Sequence, residues 1–277
     1  VVTAPGPGSG KLATCLSQIY HERKRGSDAG YAKFETFPIW NISLKHPVNM
    51  AYEAATADLD DVNMIDPFHL EAYGKTTVNY NRDIEVFPVV KTILSRTSNV
   101  ASTYQSPTDM GVNMAGFCIT NDEVCREAAK QEIIRRHFHT MVDYKLGRVD
   151  YQAVKKIEMI MSQLDISGDD RRVMAAALAK MQEKDAPATA IELPGGRIVT
   201  GRETTLMKAP ASALINAIKQ MAGLADDLYL ISPVVLEPII KLKQLNLGAH
   251  SLTLNLEEVL ICLSICAATN PTVEPAA

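Results

Sequence analysis

The run Pro5 to Thr14, PGPGSGKLAT, places three glycines, a serine and a lysine between an apolar dipeptide and an amphipathic segment. A turn of this composition in front of a helix confines the chain to few architectures. Successive backbone amides converge on an anion at a helix N-terminus, where side chains would block the approach and glycine does not. The nucleotide-loop pattern G-x-x-x-x-G-K-[ST] is met at Gly10 and Lys11, but Pro5 stands where its first glycine belongs and Leu12 where its hydroxyl belongs. The dinucleotide pattern G-x-G-x-x-G fits Gly6 and Gly8 and then meets Lys11 in place of the third glycine. What remains is a relaxed phosphate loop with Gly6, Gly8, Ser9, Gly10 and Lys11 as candidate ligands. Lys11 in a first helical turn opposes the helix dipole by about 0.3–1 kcal/mol unless an anion is bound there. Thr14, one turn on, is a poor substitute for the missing hydroxyl, and the same residues also suit a plain strand-to-helix turn.

Beyond the loop, Leu12, Leu16, Ile19 and Tyr20 recur at helical spacing, and the run closes on Arg23, Lys24, Arg25 and Gly26. That basic last turn complements the negative end of the dipole, so HERKR reads as helix punctuation. YAKFETF alternates like a strand, Val48 to Leu59 form a helix entered through Pro47, VNMID is a short strand, and a helix is expected from near Pro88 to about Arg96. Strands alternating with helices predict an α/β fold with a mainly parallel sheet that starts strand, Gly-rich loop, helix. Val1 and Val2 are too few for a central strand of ordinary length, so residues are expected upstream.

Residues 1–119 are therefore read as an α/β domain with the Gly-rich loop. Residues 120–186 read as a helical subdomain, opened by a capping box of Thr120 and Glu123 and continued by helices from Asp150 and Asp169. Residues 187–277 read as a smaller α+β lobe: a hairpin about Pro194-Gly195-Gly196, a helix from Pro210 to Met221, a short strand LYLIS, a helix after Pro233 and an apolar helix behind Asn255. The stretch from Thr97 to Thr120 has no period, yet Met110, Val112, Met114 and Phe117 predict that it is ordered against the body.

Composition narrows the partners. Hydrophobic residues make up 47% and charged ones 22%, as in ordinary globular proteins, and no apolar run approaches the ~20 residues of a membrane helix. A net charge of -4 gives no general attraction for nucleic acid or anionic lipid. Five scattered cysteines without a C-x-x-C pair read as reduced thiols of a cytoplasmic protein.

Asp66, His69 and Glu71 form D-x-x-H-x-E at the end of VNMID, a candidate set for magnesium, with Asp66 as helix cap the competing role. Asp109 and Asn113 are candidate ligand contacts in the long loop, where both residue types also favour turns. No zinc is expected: H-E-x-x-H is absent because Arg25 stands in place of the second histidine after His21 and Glu22. His137 and His139, two apart on a helix, point to nearly opposite sides.

The blocks VVTAPGPGSGKLATCLSQIYHE, GYAKFETFPIWN, HPVNMAYEAATADLDDVNMIDPFHLEAYGKTTVNYNRD, SPTDMGVNMAG and AIELPGGRIVTG resemble the uncharacterised bacterial DUF-1846 family, also labelled UPF, over nearly the whole chain. The resemblance implies a multi-lobed α/β protein with a helical lobe and a central segment of a longer family member. Some members are labelled ATP-dependent zinc proteases. It supplies no catalytic residue. The function expected from the residues is binding of a nucleotide or other phosphorylated small molecule at Gly6–Lys11, with ATP and magnesium as candidates and phosphoryl transfer or hydrolysis as the first reaction class. The rival expectation is a non-catalytic interaction or assembly protein, including a homo-oligomer, that docks through the helical subdomain.

Overall fold

The computed structural model describes residues 1–5, 8–97, 103–249, 251–271 and 273–274, in two units, Val1–Ser167 and Gly168–Ala277. Among the described residues no helix is long and apolar enough to cross a membrane.

In the first unit the chain runs through α1 (Lys11–Lys24), β1 (Lys33–Phe34), α2 (Pro47–Ala55), β2 (Asn63–Ile65), α3 (Pro67–Tyr73), β3 (Val78–Tyr80), α4 (Asn81–Thr97), β4 (Gly111–Val112), α5 (Asp122–Lys145) and α6 (Tyr151–Gln163). Local chemistry sets most boundaries. The His46 ring and the Asp66 carboxylate cap α2 and α3, with Pro47 and Pro67 in the first turns, where a missing N–H costs nothing. Asn121 caps α5 by accepting from the Val124 amide, so the cap lies one residue beyond the expected Thr120. α4 starts at Asn81 and carries Pro88 inside it, because Ile84, Phe87, Val90 and Leu94 form one continuous buried face across that proline.

Two clusters hold this unit. Ile19 of α1 packs with Phe87, Val90 and Leu94 of α4 and with Tyr104 and Met110 of the long loop. Met50 and Ala54 of α2 pack with Ile133 and Ile134 of α5 and Ile157 and Ile160 of α6. Of the four residues expected to hold the loop only Met110 is buried, while Val112, Met114 and Phe117 are exposed. Buried asparagines fasten the segment after β1: Asn49 Oδ1 accepts from the Ile39 amide at 2.7 Å, Asn63 Nδ2 donates to the Asn49 carbonyl at 2.7 Å, and Asn113 Nδ2 donates to the Pro38 carbonyl at 2.7 Å.

The mainly parallel sheet is not formed among the described residues. β1 and β4 make a parallel ladder of two residues, β2 and β3 pair antiparallel with Met64 opposite Asn79, and among the described residues Val1 to Pro5 form no strand. The strands of this unit are two or three residues long, shorter than the usual strand of a larger sheet. VNMID is a strand as read, but its partner follows α3 directly and returns beside it.

The second unit contains α7 (Met174–Gln182), β5 (Ala188–Glu192), β6 (Ile198–Arg202), α8 (Ala209–Met221), α9 (Pro233–Leu245) and α10 (Leu256–Thr269). The expected hairpin is present, with Ala190 opposite Thr200. α8 lies on it so closely that a Cβ on Gly201 would stand 2.0 Å from the Ala213 amide nitrogen. LYLIS is not a strand; Leu230 and Ile231 enter the core with Leu254, Val259 and Leu263. Of the helices expected between residues 120 and 186, α5 and α6 belong to the first unit and α7 to the second.

Candidate functional site

The Gly-rich loop enters α1 through two left-handed glycines, Gly8 at φ +71° and Gly10 at φ +83°. L side chains avoid that region, so glycine is what permits the turn. Gly10 is the N-cap and brings no side chain to occupy the first amides of α1, and no acidic residue stands in the first turn. Among the described residues, chain neighbours aside, nothing lies within 4 Å of the place where a Cβ on Gly8 or Gly10 would be. The Lys11 ammonium donates to Ser9 Oγ at 3.3 Å. Thr14 turns away from this arrangement: its hydroxyl donates to the Gly10 carbonyl at 3.1 Å and reinforces the first turn. Gly6 lies outside the described residues.

Asp66, His69 and Asp109 come together on α3 and the long loop, but as a scaffold. Asp66 is fully buried. Its Oδ1 accepts from the Phe68 and His69 amides at 3.0 and 3.1 Å, and its Oδ2 accepts from the Thr108 hydroxyl at 2.6 Å and the Thr108 amide at 3.3 Å. Four donors therefore fill the lone pairs a metal would need. His69 Nδ1 lies 3.0 Å from Ser106 Oγ, and Asp109 Oδ2 accepts from the Gln105 amide, the Ser106 amide and the Tyr73 hydroxyl at 2.8, 3.0 and 3.0 Å. Glu71 is exposed and joins none of these bonds. Among the described residues no three His, Cys, Asp or Glu side chains are placed to hold a metal ion. Asn113 is buried on the Pro38 carbonyl.

A third constellation escaped the sequence reading. Lys33 of β1 contacts the carboxylates of Glu35 and Asp83 and the hydroxyl of Tyr80, and its ammonium lies 4.4 Å from the centre of the Tyr80 ring. Two carboxylates share one ammonium. Burial, opposed by Lys33 and reinforced by Asp83, pushes Glu35 up to about 7. Burial likewise raises the Tyr80 hydroxyl, while the carboxylates outweigh the desolvation of Lys33 and hold its ammonium above the usual lysine range. The available signal was the alternation in KFET: charged residues two apart share one face of a strand, an arrangement that needs compensation where that face is buried, as it is at Glu35. Beside the cluster lies a cavity of about 50 Å³, lined by Lys33 and Asp83 together with Leu12, Tyr31, Phe87 and Met110. Leu12 follows Lys11 directly, so the first turn of α1 borders both features.

The chain matches two family models, "Domain of unknown function DUF1846, N-terminal" over residues 1–165 and "Domain of unknown function DUF1846, C-terminal" over residues 169–277. Between them they cover the chain. Similar proteins include a UPF0371 protein of Fusobacterium nucleatum, 57% identical over 288 residues and covering 100% of this chain and 57% of its own length. A UPF0371 protein of Streptococcus thermophilus is 61% identical over 270 residues, 98% of this chain and 54% of its own, and one of Clostridium botulinum is 55% identical over 284 residues, 100% and 57%. The chain thus spans just over half the length of these relatives.

Proposed function

The chain belongs to the DUF1846 family, and from that premise we propose that it binds a phosphorylated small molecule at Gly8, Ser9, Gly10 and Lys11. The observation that carries this reading is the entry to α1: two left-handed glycines, open space over them, an N-cap without a side chain, and a lysine in place of the usual acid of a first turn. Amide hydrogens and an ammonium group then face one anion, and the helix dipole favours negative charge there. Nucleotides, ATP included, fall within the class, with phosphoryl transfer or hydrolysis in the cytoplasm as the chemistry. Asp66, His69 and Glu71 have no part in it, because the oxygens of Asp66 are engaged by the protein. Any magnesium arrives with the phosphates of the ligand.

The test is a melting-temperature screen of the wild-type chain and Lys11→Ala against ATP, GTP, inorganic phosphate and sugar phosphates. A ligand at 100 times its Kd adds ~2.7 kcal/mol to stability. The reading expects a rise with at least one of these compounds that Lys11→Ala abolishes; no rise with any of them rejects it.

A second reading has its own support. On α5, Phe138 and Val142 stand four residues apart, with Leu146 four beyond at its C-cap, and all three are exposed. Such a stripe suits assembly through this helix, including with another copy of the chain. It predicts that Val142→Lys lowers the mass seen by light scattering, and an unchanged mass removes it.

A further inference from the structure

In the second unit, we propose that the outer edge of β5 takes up an extended peptide segment with an acidic side chain, which joins the hairpin as a third strand. The ladder fixes which backbone groups face out. The Glu203 amide donates to the Pro187 carbonyl at 2.7 Å and the Leu193 amide to the Arg197 carbonyl at 2.8 Å, so the hydrogen-bonded pairs fall at every second position between them. Ala188, Ala190 and Glu192 of β5 therefore turn their N–H and C=O groups outward, as Ile198, Thr200 and Arg202 of β6 do on the other side. The two edges differ. On β6 the Thr200 carbonyl accepts from Asn216 Nδ2 of α8 at 2.9 Å, whereas among the described residues no group bonds to the outward backbone of Ala188, Ala190 or Glu192.

A cavity of about 620 Å³, lined by Ala190, Ile191 and Glu192 of β5 and by Arg171 and Arg172, borders this edge. The outward groups recur at every second residue, about 6.8 Å apart, a spacing that another strand repeats and a compact small molecule does not. Pro187 and Glu192 mark the ends of the edge, and Ala188 to Ile191 between them carry neither charge nor proline, the usual guards against strand addition. Charge selects the partner. Two arginines stand against one carboxylate around the cavity, and the surplus positive charge calls for an acidic side chain on the incoming strand. The Arg172 guanidinium meets Glu192 at 3.2 Å, an exposed contact that contributes little and can be exchanged.

NMR titration of the isotope-labelled chain with the end-blocked peptide TVEVTE tests this, with TVKVTK and a fully N-methylated TVEVTE as controls that leave the chain unaltered. Ala190→Pro is the matching variant: it removes one outward N–H and no ladder bond, and proline is tolerated on an edge strand where the N–H faces out. The expected result is saturable shifts of the Ala188–Glu192 amides with TVEVTE, about tenfold weaker binding of TVKVTK, and no binding by the methylated peptide or to Ala190→Pro. Unmoved β5 amides at millimolar TVEVTE, or equal binding of the lysine or methylated peptide, overturns the proposal. A dimeric mass by light scattering that Ala190→Pro reduces to a monomer gives the edge to a second copy and overturns it as well.

Discussion

The Asp66 carboxylate and the Thr108 hydroxyl meet at 2.6 Å, both buried, and join the cap of α3 to the long loop. A buried carboxylate tolerates this place only because four donors surround it. Asp66→Ala removes a helix cap, about 1 kcal/mol, and strands the Thr108 donors, about 2 kcal/mol more. Urea unfolding should show a loss of about 3 kcal/mol in total. A loss below about 1 kcal/mol would return Asp66 to the list of residues held for function rather than for the fold.

Thr14 separates the loop seen here from a complete nucleotide loop. Its hydroxyl is committed to the Gly10 carbonyl at 3.1 Å on an exposed turn. Thr14→Ala should leave the affinity for a phosphorylated ligand within about twofold, a change below 0.5 kcal/mol. A tenfold loss in titration would show that the hydroxyl turns to the ligand after all.

In the second unit the contact of β6 with α8 leaves no room at position 201. A methyl group there would collide with the backbone of Ala213 and neighbouring Ser212, which a side-chain rotation cannot relieve. Gly201→Ala should cost about 3 kcal/mol by denaturant unfolding, at the upper end of overpacking penalties. Gly195→Ala, at a hairpin tip with nothing within 4 Å, should cost about 1 kcal/mol through its φ of +89° alone.

Glu35 makes stability depend on pH in a direction that can be fixed in advance. Its folded value of about 7 lies above the ordinary 4.5, so between those limits the folded chain keeps a proton that the unfolded chain has released. The contribution is therefore present below pH 4.5 and is lost as pH rises through 7. Comparison of the wild type with Glu35→Gln cancels the groups that do not interact with Glu35. The stability difference should shift against the wild type by up to about 3 kcal/mol between pH 4.5 and 8. A flat difference across that range would show that Lys33 keeps Glu35 ionised throughout.

Residues that act locally were legible in the sequence. Pro47, Gly26 and the Pro194-Gly195-Gly196 turn mark element ends through their own backbone preferences, and the structure places them so. The side of a ladder on which a partner strand lies is not local. VNMID reads as a strand whichever neighbour it takes, and the choice of β3 gives an antiparallel pair where alternation with helices suggests a parallel one. LYLIS fails for a related reason: its apolar residues are needed by the core, and burial alone does not require a strand.

Among site residues, Asp66 carried both a capping and a ligand reading, and only the position of Thr108, 42 residues away, decides between them. The meeting of Lys33 and Glu35 with Tyr80 and Asp83 is likewise tertiary, across separations of about 50 residues.

The claim on which the account turns is that the amides of Gly8, Ser9, Gly10 and Lys11 point at an anion. Amide nitrogen and proton shifts of the isotope-labelled chain, followed by NMR while inorganic phosphate or a sugar phosphate is titrated in, test it most directly. Saturable shifts centred on these residues, absent in Lys11→Ala, are the predicted result. Unmoved loop amides in the presence of a compound that binds elsewhere on the chain would contradict it.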